Sequence, residues 1–407
     1  MPPRLRGREG PVLSEHIERR ASRPVRAGRL VIGGSAPVSV QSMTKTDPED
    51  VRATLAQVRR LAAAGAELVR LTVPSFRAAE AFGRVRAGSP VPLVADTHFD
   101  ARLAMAALDA GADKVRVNPG TTRSTALRDF ARESGRRRVP VRIGVNSGSV
   151  YTRSGRGRDL AADMVRAAVA AARRFEDWGQ PQIVLSMKAP TVAETVRAYR
   201  LAAEKCDYPL HIGVTAAGPQ DLAAAKSFAA LGALLVDGIG DTLRFSFTGD
   251  PEPEVEAGLT LLRALGLRRE GPEIWSCPTC GRCKIDLVRL VERVRREVAG
   301  IGAPITVAVM GCVVNGPGEA SAADVGLAGT PDGAVLFAGG QRLRRVKGEG
   351  AMVKALVAEA RRMAKGRTGA GLTPRRQDAK TEHHRAGLGG SAAGREKRSS
   401  SRRGRHG

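Results

Sequence analysis

The chain has 407 residues, 42% hydrophobic and 3% aromatic, with a formal net charge of +25. That length can bury the core of two domains, and the lack of any apolar run approaching about 18 residues excludes a membrane-spanning helix. Scarce aromatics argue against stacking platforms for nucleic acid, and with no secretory signal peptide the expected compartment is the cytoplasm.

The first 28 residues are basic and without clear periodicity, and they read as an N-terminal arm (1–28). From about residue 30 to 265, β-rich phrases alternate with Ala/Leu/Arg-rich helical stretches. Eight strands are predicted: Val38–Ser42, Leu68–Val73, Leu93–Asp96, Lys114–Val117, Val141–Val145, Ile183–Met187, Leu210–Val214 and Thr242–Phe247. Between the first two, Asp47-Pro48 reads as a helix start. Val51, Leu55, Val58 and Leu61 then share one face, and Gly65 ends the run. Eight strands alternating with helices over about 240 residues match a (β/α)8 TIM barrel, here 29–266. A doubly wound sheet is the alternative, but no GxGxxG opens the first helix.

Leu267 to Pro272 read as a linker, after which the pattern becomes α+β. A helix is predicted over 285–298, with strands at Thr306–Met310, Asp324–Leu327 and Ala334–Phe337 and a helix over 351–363. This second domain (272–365) holds four of the five cysteines. From Lys365 onward, twelve Lys/Arg face three Asp/Glu in a Gly-, Ser- and Arg-rich tail. Such a stretch buries too little surface to offset its ordering entropy, so 366–407 is predicted to be disordered. Phosphate attraction to the basic ends is conceivable; a solvated tail is the simpler reading, and nucleic acid is not an expected partner.

Cys277, Cys280 and Cys283 form one CPTCGRC run, and Cys312 follows in MGCVVNGPGEA. Thiolates two residues apart converge on a soft metal, and without a signal peptide this spacing favours metal or redox chemistry over disulfides. Tetrahedral zinc and an iron–sulfur cluster both suit such ligands. Cys312 lacks the second Cys-x2-Cys pair of a zinc ribbon, whereas Glu319, beyond Asn315-Gly316-Pro317-Gly318, offers a weak oxygen ligand that would leave one iron open. The spacing favours the cluster. Cys206 reads as a small buried hydrophobe, and His211 as a packed strand residue.

The barrel carries a second signal at the C-terminal strand ends, where such folds place their chemistry. Arg70, Arg116, Arg142, Lys188 and Arg244 fall in five separate strand phrases. Barrel strands should read as nearly continuous apolar runs, so buried cations need anionic partners. Internal acids such as Asp96, Asp113, Asp237 or Asp241 could supply them. A diphosphate would satisfy all five, with arginines giving forked donors.

QSMT, ADTHFD, RVNPG, RIGVNSGS, GIGDTLR, SCPTCGR and MGCVVNGPGEA, in this order, resemble the 4-hydroxy-3-methylbut-2-enyl diphosphate synthase family of the non-mevalonate isoprenoid pathway. The similarity spans about residues 18 to 363, and the chain looks like the two-domain bacterial type, lacking the insert of the plant form. The resemblance implies two-electron reductive ring opening of 2-C-methyl-D-erythritol 2,4-cyclodiphosphate with loss of water. It implies a 4Fe-4S cluster on Cys277, Cys280, Cys312 and Glu319, with Glu319 exchangeable. Reduced flavodoxin or ferredoxin would donate electrons to a homodimer whose cluster domain closes over the partner's barrel. It also implies diphosphate contacts from Arg70, Arg116, Arg142, Lys188 and Arg244, assisted by Asn146 and Ser246. Asp96, His98, Asn118 and Asn315 would lie near the erythritol part.

Two positions depart from that pattern. The seventh strand continues as HIGVTAAG where the family usually has TEAG, so Ala216 stands in place of a glutamate. Ala216→Glu should raise turnover, and an unchanged or lower rate in cluster-loaded protein would count against a role for that carboxylate. Cys283 is not required by the family and reads as a bystander thiol. Two other readings are a pteroate-synthase-type barrel transferase with structural zinc, and a zinc-bearing nucleic-acid module; colour and metal content separate them, since zinc is d10 and colourless.

Overall fold

The computed structural model describes residues 17–97, 100–118, 124–146, 159–215, 218–268 and 270–369. The basic tail and most of the N-terminal arm therefore lie outside the described residues. Within the arm's last residues, two short strands, β1 (Val25–Ala27) and β2 (Leu30–Ile32), form an antiparallel hairpin that straddles residue 28. Its turn needs Gly28, whose φ is +55° and where a Cβ would lie 2.5 Å from the Asp113 carboxylate. Ala27 and Ile32 pack on Leu68 and Val94 near the starts of two barrel strands, closing the N-terminal end of the barrel with apolar surface. Strands of three residues are too short to show a period, so the sequence did not reveal this plug.

All eight predicted barrel strands are present and parallel: β3 (Ser39–Met43), β4 (Leu68–Thr72), β5 (Leu93–Asp96), β6 (Lys114–Val117), β7 (Val141–Asn146), β8 (Ile183–Lys188), β9 (His211–Ile212) and β10 (Thr242–Leu243). They follow one another round the ring, and a Leu185–Leu210 bridge joins β8 to β9. The last two are shorter than predicted. The chain leaves the ladder beyond Leu243, where the Phe247 amide donates to the Glu254 carboxylate at 3.0 Å instead.

Helices α1 (Val51–Ala63), α2 (Phe76–Ala87), α3 (Ala101–Asp109), α4 (Ser124–Arg136), α5 (Leu160–Asp177), α6 (Val192–Lys205), α7 (Gln220–Val236) and α8 (Glu252–Ala264) alternate with the strands, giving the TIM barrel. Val58 and Leu61 of α1 are buried, with Val51 and Leu55 packed beside them. Its start differs from the sequence reading. Asp50, not Asp47, is the cap and accepts from the Ala53 amide at 2.9 Å, while Asp47 accepts from Glu49 in the preceding turn. A side-chain acceptor for the orphan amides decides the start, and Asp50 is the residue in reach.

The C-terminal domain is a five-stranded sheet in the order β11 (Pro272–Ser276), β12 (Ile305–Met310), β13 (Val325–Thr330), β14 (Gly333–Ala338) and β15 (Gln341–Val346). The first three are parallel, and the last two return antiparallel. Helices α9 (Leu287–Val298) and α11 (Glu349–Gly369) pack their apolar residues on one face with Val307, Val309 and Leu327. The short α10 (Gly316–Ala322) covers the other, beside Met310, Ala328 and Val335. Sequence reading missed both edge strands because their side chains are mostly exposed. It placed no helix at α10, although Pro317 in the first helical turn suits a start. Pro272 opens β11, so the linker ends one residue earlier than expected. Arg268 anchors this crossing by donating to the Val38 carbonyl at 3.0 Å and to Glu67 at 2.6 Å. Among the described residues no helix is long and apolar enough to cross a membrane.

Candidate functional site

Alternation along each strand sends every second side chain into the barrel. Near the C-terminal ends the inward set is Arg70 on β4, Arg116 on β6, Arg142, Gly144 and Asn146 on β7, and Ser186 and Lys188 on β8. Arg244 and Ser246 follow from β10. They line a cavity of about 220 Å³, floored and walled also by Val145, Val214 and Thr215. Two glycines make room for the cations: a Cβ at Gly144 would lie 2.9 Å from Arg116 Nε, and one at Gly213 would lie 2.9 Å from Lys188 Nζ.

The five predicted cations therefore come together. Among the described residues their carboxylate partners are fewer than they are. Asp96 bridges two of them, at 3.0 Å from Arg116 Nη1 and 3.5 Å from Arg70 Nε. Glu254 stands 3.3 Å from Arg244 but also 2.9 Å from Lys45. The other acids named from sequence pair elsewhere: Asp113 with Arg86, Asp237 with Arg200 and Asp241 with Arg19. Glu254 carried no signal in the sequence, since it lies on α8 and reaches the site only through the fold.

Arg142 is almost fully buried, and its Nε and Nη1 have no hydrogen-bond partner among the described residues. Burial, reinforced by Arg70 and Arg116, holds its pKa well below arginine's usual range. Burial also brings Arg70 down to about 9; Asp96 resists, while Arg244 and Arg116 add to the fall. Lys188 is lowered by burial and then by Arg244 and Arg70. Like charges crowded in low dielectric disfavour one another. A multiply charged anion would oppose each of these shifts and offer acceptors to the Arg142 donors that have none among the described residues.

One layer nearer the closed end, the polarity continues without partners. Lys114 Nζ, both His211 ring nitrogens, the Gln41 amide and the Ser39 and Thr242 hydroxyls are buried and unbonded among the described residues. Lys114 and His211 are fully buried, and burial pushes both well below their usual pKa ranges. His211 is packed, as the sequence suggested, but it is not satisfied. Asn118 and Asn146 are placed on the β6 and β7 ends and engaged in interactions of their own. His98 and Ala216 lie outside the described residues.

The thiol site is of a different kind. β11 and β12 run parallel with Ser276 opposite Val309, so Cys277 and Cys312 leave the same end of the sheet. The Gly311 amide donates to Cys277 Sγ at 3.3 Å, and Lys284 N donates to the Gly311 carbonyl at 2.8 Å. A Cβ on Gly311 would meet Cys283 Sγ at 2.5 Å and Cys277 Sγ at 3.5 Å, so this glycine is the seat on which two thiols rest. Cys283 Sγ donates to the Ile285 carbonyl at 3.2 Å and is half-buried against the domain core. Backbone amides of Val314 and Asn315, and then Gly316, face Cys312 and lower its thiol pKa, with Arg282 adding to the effect. That environment favours thiolate.

Cys280, Asn315 and Glu319 are exposed, Glu319 in the first turn of α10. Among the described residues no three His, Cys, Asp or Glu side chains stand together in ligand geometry. The donor set of soft thiols and one carboxylate, gathered on loops at one end of one sheet, fits either an iron–sulfur cluster or zinc. Cys206 is half-buried against the barrel core rather than buried as expected, because it caps the C-terminus of α6, and burial raises its thiol pKa.

The sequence matches two family models, the GcpE TIM-barrel domain over residues 22–259 and the GcpE protein C-terminal domain over residues 273–362. It is 49% identical over 341 residues to the 4-hydroxy-3-methylbut-2-en-1-yl diphosphate synthase (flavodoxin) of Geobacter sulfurreducens, covering 83% of this chain and 96% of that protein. It is 46% identical to the protein of the same name from Symbiobacterium thermophilum, covering 84% of this chain and 93% of that one. The same name belongs to a Lawsonia intracellularis protein at 45% identity, covering 84% and 96%. Among solved structures, dihydropteroate synthase from Xanthomonas albilineans aligns with 60% of this chain and 98% of that chain, at 19% identity and a TM-score of 0.46.

Proposed function

This chain belongs to the GcpE family, and from that premise we propose that it is a 4-hydroxy-3-methylbut-2-enyl diphosphate synthase acting on 2-C-methyl-D-erythritol 2,4-cyclodiphosphate. Two electrons enter, the ring opens and water leaves, in the non-mevalonate route to isoprenoid precursors. The observation that carries this reading is the surplus of buried cations over carboxylates in the barrel cavity, which matches a substrate with two linked phosphoryl groups.

Arg142, with open donors, would take the most central phosphoryl oxygens. Arg116 and Arg70 are pre-oriented by Asp96, and Arg244 by Glu254, so little rotamer freedom remains to be lost on binding. Lys188 adds a point charge from β8. Burial strengthens all of these contacts, because the same pair of charges interacts more strongly in low dielectric than in water. Asn146 and Ser246, which line the same cavity, would hydrogen-bond remaining oxygens, and Asn118 and His98 would approach the erythritol carbons. Asp96 would hold its arginines rather than the substrate.

Cys277, Cys280, Cys312 and Glu319 would hold a 4Fe-4S cluster, which when bound supplies the electrons and a Lewis-acidic iron. The chain's own part there is to offer one weak oxygen ligand among three cysteines, to favour the Cys312 thiolate through backbone amides, and to place the Asn315 side chain at the start of α10 with no cap hydrogen bond of its own. Reduced flavodoxin, after the relatives' names, or ferredoxin would be the donor, and a homodimer would bring a cluster domain over the partner's barrel. Free cysteines throughout accord with a reducing, cytoplasmic setting.

The test is anaerobic reconstitution followed by incubation with the cyclic diphosphate and a strong chemical reductant. The allylic diphosphate should form, and Glu319→Ala should cut its rate at least ~100-fold with iron and sulfide content retained. Stoichiometric zinc without inorganic sulfide in anaerobically purified protein would remove the proposal.

A further inference from the structure

The outer edge of the C-terminal sheet carries a charge pattern that the reaction does not use. Strand β15 reads QRLRRV, and Arg342, Leu343, Arg344 and Arg345 are all exposed. None of these arginines forms a salt bridge or side-chain hydrogen bond among the described residues. Four other arginines of the domain are tied to carboxylates: Arg289 and Arg293 to Glu349, Arg362 to Glu359 and Arg367 to Asp324. Asp332, whose carboxylate feels Arg345, is already paired with Lys347 at 3.6 Å.

Register places this charge relative to the thiols. Met310 pairs with Ala328, Ala328 with Val335, and Val335 with Arg345, so the four form one row across the sheet. Three strand spacings separate Arg345 from Met310, about 14 Å. Met310, Ala328 and Val335 belong to the face covered by α10, and Arg345 therefore emerges on that face. Arg342, opposite Phe337 of the same apolar cluster, emerges on that face too, in the next row back from the thiol end, the row of Gly326 and Ala308. At the other end of the row, Val313 and Val314 follow Cys312 and are 53% and 62% exposed. Arg282, exposed and close enough to act on the Cys312 thiol, flanks them.

An apolar centre with a charged rim is the usual anatomy of a transient protein interface. We infer that Val313 and Val314, rimmed by Arg282, Arg342 and Arg345, form the docking surface for an acidic electron-donor protein. The inference rests on the proposed function, whose donor it places. Unpaired basic groups suit an acidic partner because they lose no internal ion pair on docking, and they accelerate encounter by long-range attraction. A bulge at Leu343 and charge on an edge strand also discourage strand addition. Edge protection alone needs no agreement between the charge and the thiol end of the sheet.

The experiment compares the cluster-loaded full chain with R342E/R345E and with R342Q/R345Q, using an acidic flavodoxin as the probe. Flavodoxin binding is titrated directly at low and high salt, and turnover is driven separately by flavodoxin and by a chemical reductant. The Glu variant should bind flavodoxin at least 10-fold more weakly at low salt, the Gln variant should fall between, and the salt dependence of wild type should flatten. Chemically driven turnover should be unchanged in both. Equal flavodoxin affinity in wild type and variants overturns the docking surface. So does loss of the dimer in the variants, which would make the strand a subunit contact, or selective loss of RNA binding with flavodoxin affinity retained. A wild type that binds flavodoxin through these arginines yet converts no cyclic diphosphate under chemical reduction refutes the proposed function instead.

Discussion

The two ends of chemistry in this chain are built on opposite principles. In the barrel the cations come from the strands and are largely buried, with Arg116 held by Asp96 and Arg244 by Glu254, and with glycine recesses for Arg116 and Lys188. In the C-terminal domain the cysteines stand on loops and Glu319 on the first turn of α10, with Cys280 and Glu319 exposed and Gly311 seating two of the thiols. The barrel has its geometry before any guest arrives and is short of negative charge. The thiol region has suitable donor atoms in one neighbourhood, and under the proposed function their final arrangement would come with the cluster. A rigid scaffold makes substrate contacts cheap in entropy, whereas metal sites commonly couple binding to the last step of folding.

The sharpest way to break that contrast is Cys280→Ser set against Cys283→Ser. Cys280→Ser should lose most of the iron and sulfide and nearly all turnover. Cys283→Ser should keep both, because that thiol is committed to the Ile285 carbonyl. Iron, sulfide and visible absorption on anaerobic protein decide it; equal losses would mean that Cys283 belongs to the ligand set.

A smaller effect is expected from Arg142→Met, which removes the most central open donor. Affinity for the cyclic diphosphate should fall by about 2–4 kcal/mol, or ~30- to 1000-fold. Calorimetric titration of cluster-free protein measures this without any turnover. Affinity within 3-fold of wild type would dissolve the argument from cation surplus.

The smallest effect concerns the layer beneath. Lys114 binds a proton less readily folded than unfolded, since burial lowers its pKa. The unfolded chain therefore holds more protons over the window between the lowered value and lysine's ordinary one, and stability rises with pH across it. Lys114→Met should raise Tm by a few degrees at pH 7 and flatten the gain between pH 7 and 9. A lower Tm with an unchanged pH slope would show that the ammonium has a partner in solution.

Much of this was legible in the sequence. Eight strand phrases with a cation in each of five give both the barrel and its mouth, because a charge in an otherwise apolar strand is costly and stands out. The cysteine spacing locates the thiol domain for a similar reason. What stayed hidden depends on partners distant in sequence. Glu254 meets Arg244 and Lys45 only after α8 packs on the barrel, and Lys114 looks like an ordinary strand-edge lysine until its neighbours prove to be Arg142 and Arg70. Edge strands β11 and β15 and the hairpin β1–β2 escaped notice because half-exposed or three-residue strands carry no alternation to read.

The hairpin has a kinetic consequence. With Ala27 and Ile32 sealed against Leu68 and Val94, the barrel is closed at its N-terminal end, and its cavity opens toward the C-terminal strand ends. Under the proposed function, incoming cyclic diphosphate and outgoing allylic diphosphate must share that passage and the same arginines. Accumulated product then competes with substrate for the same chamber and slows its own formation.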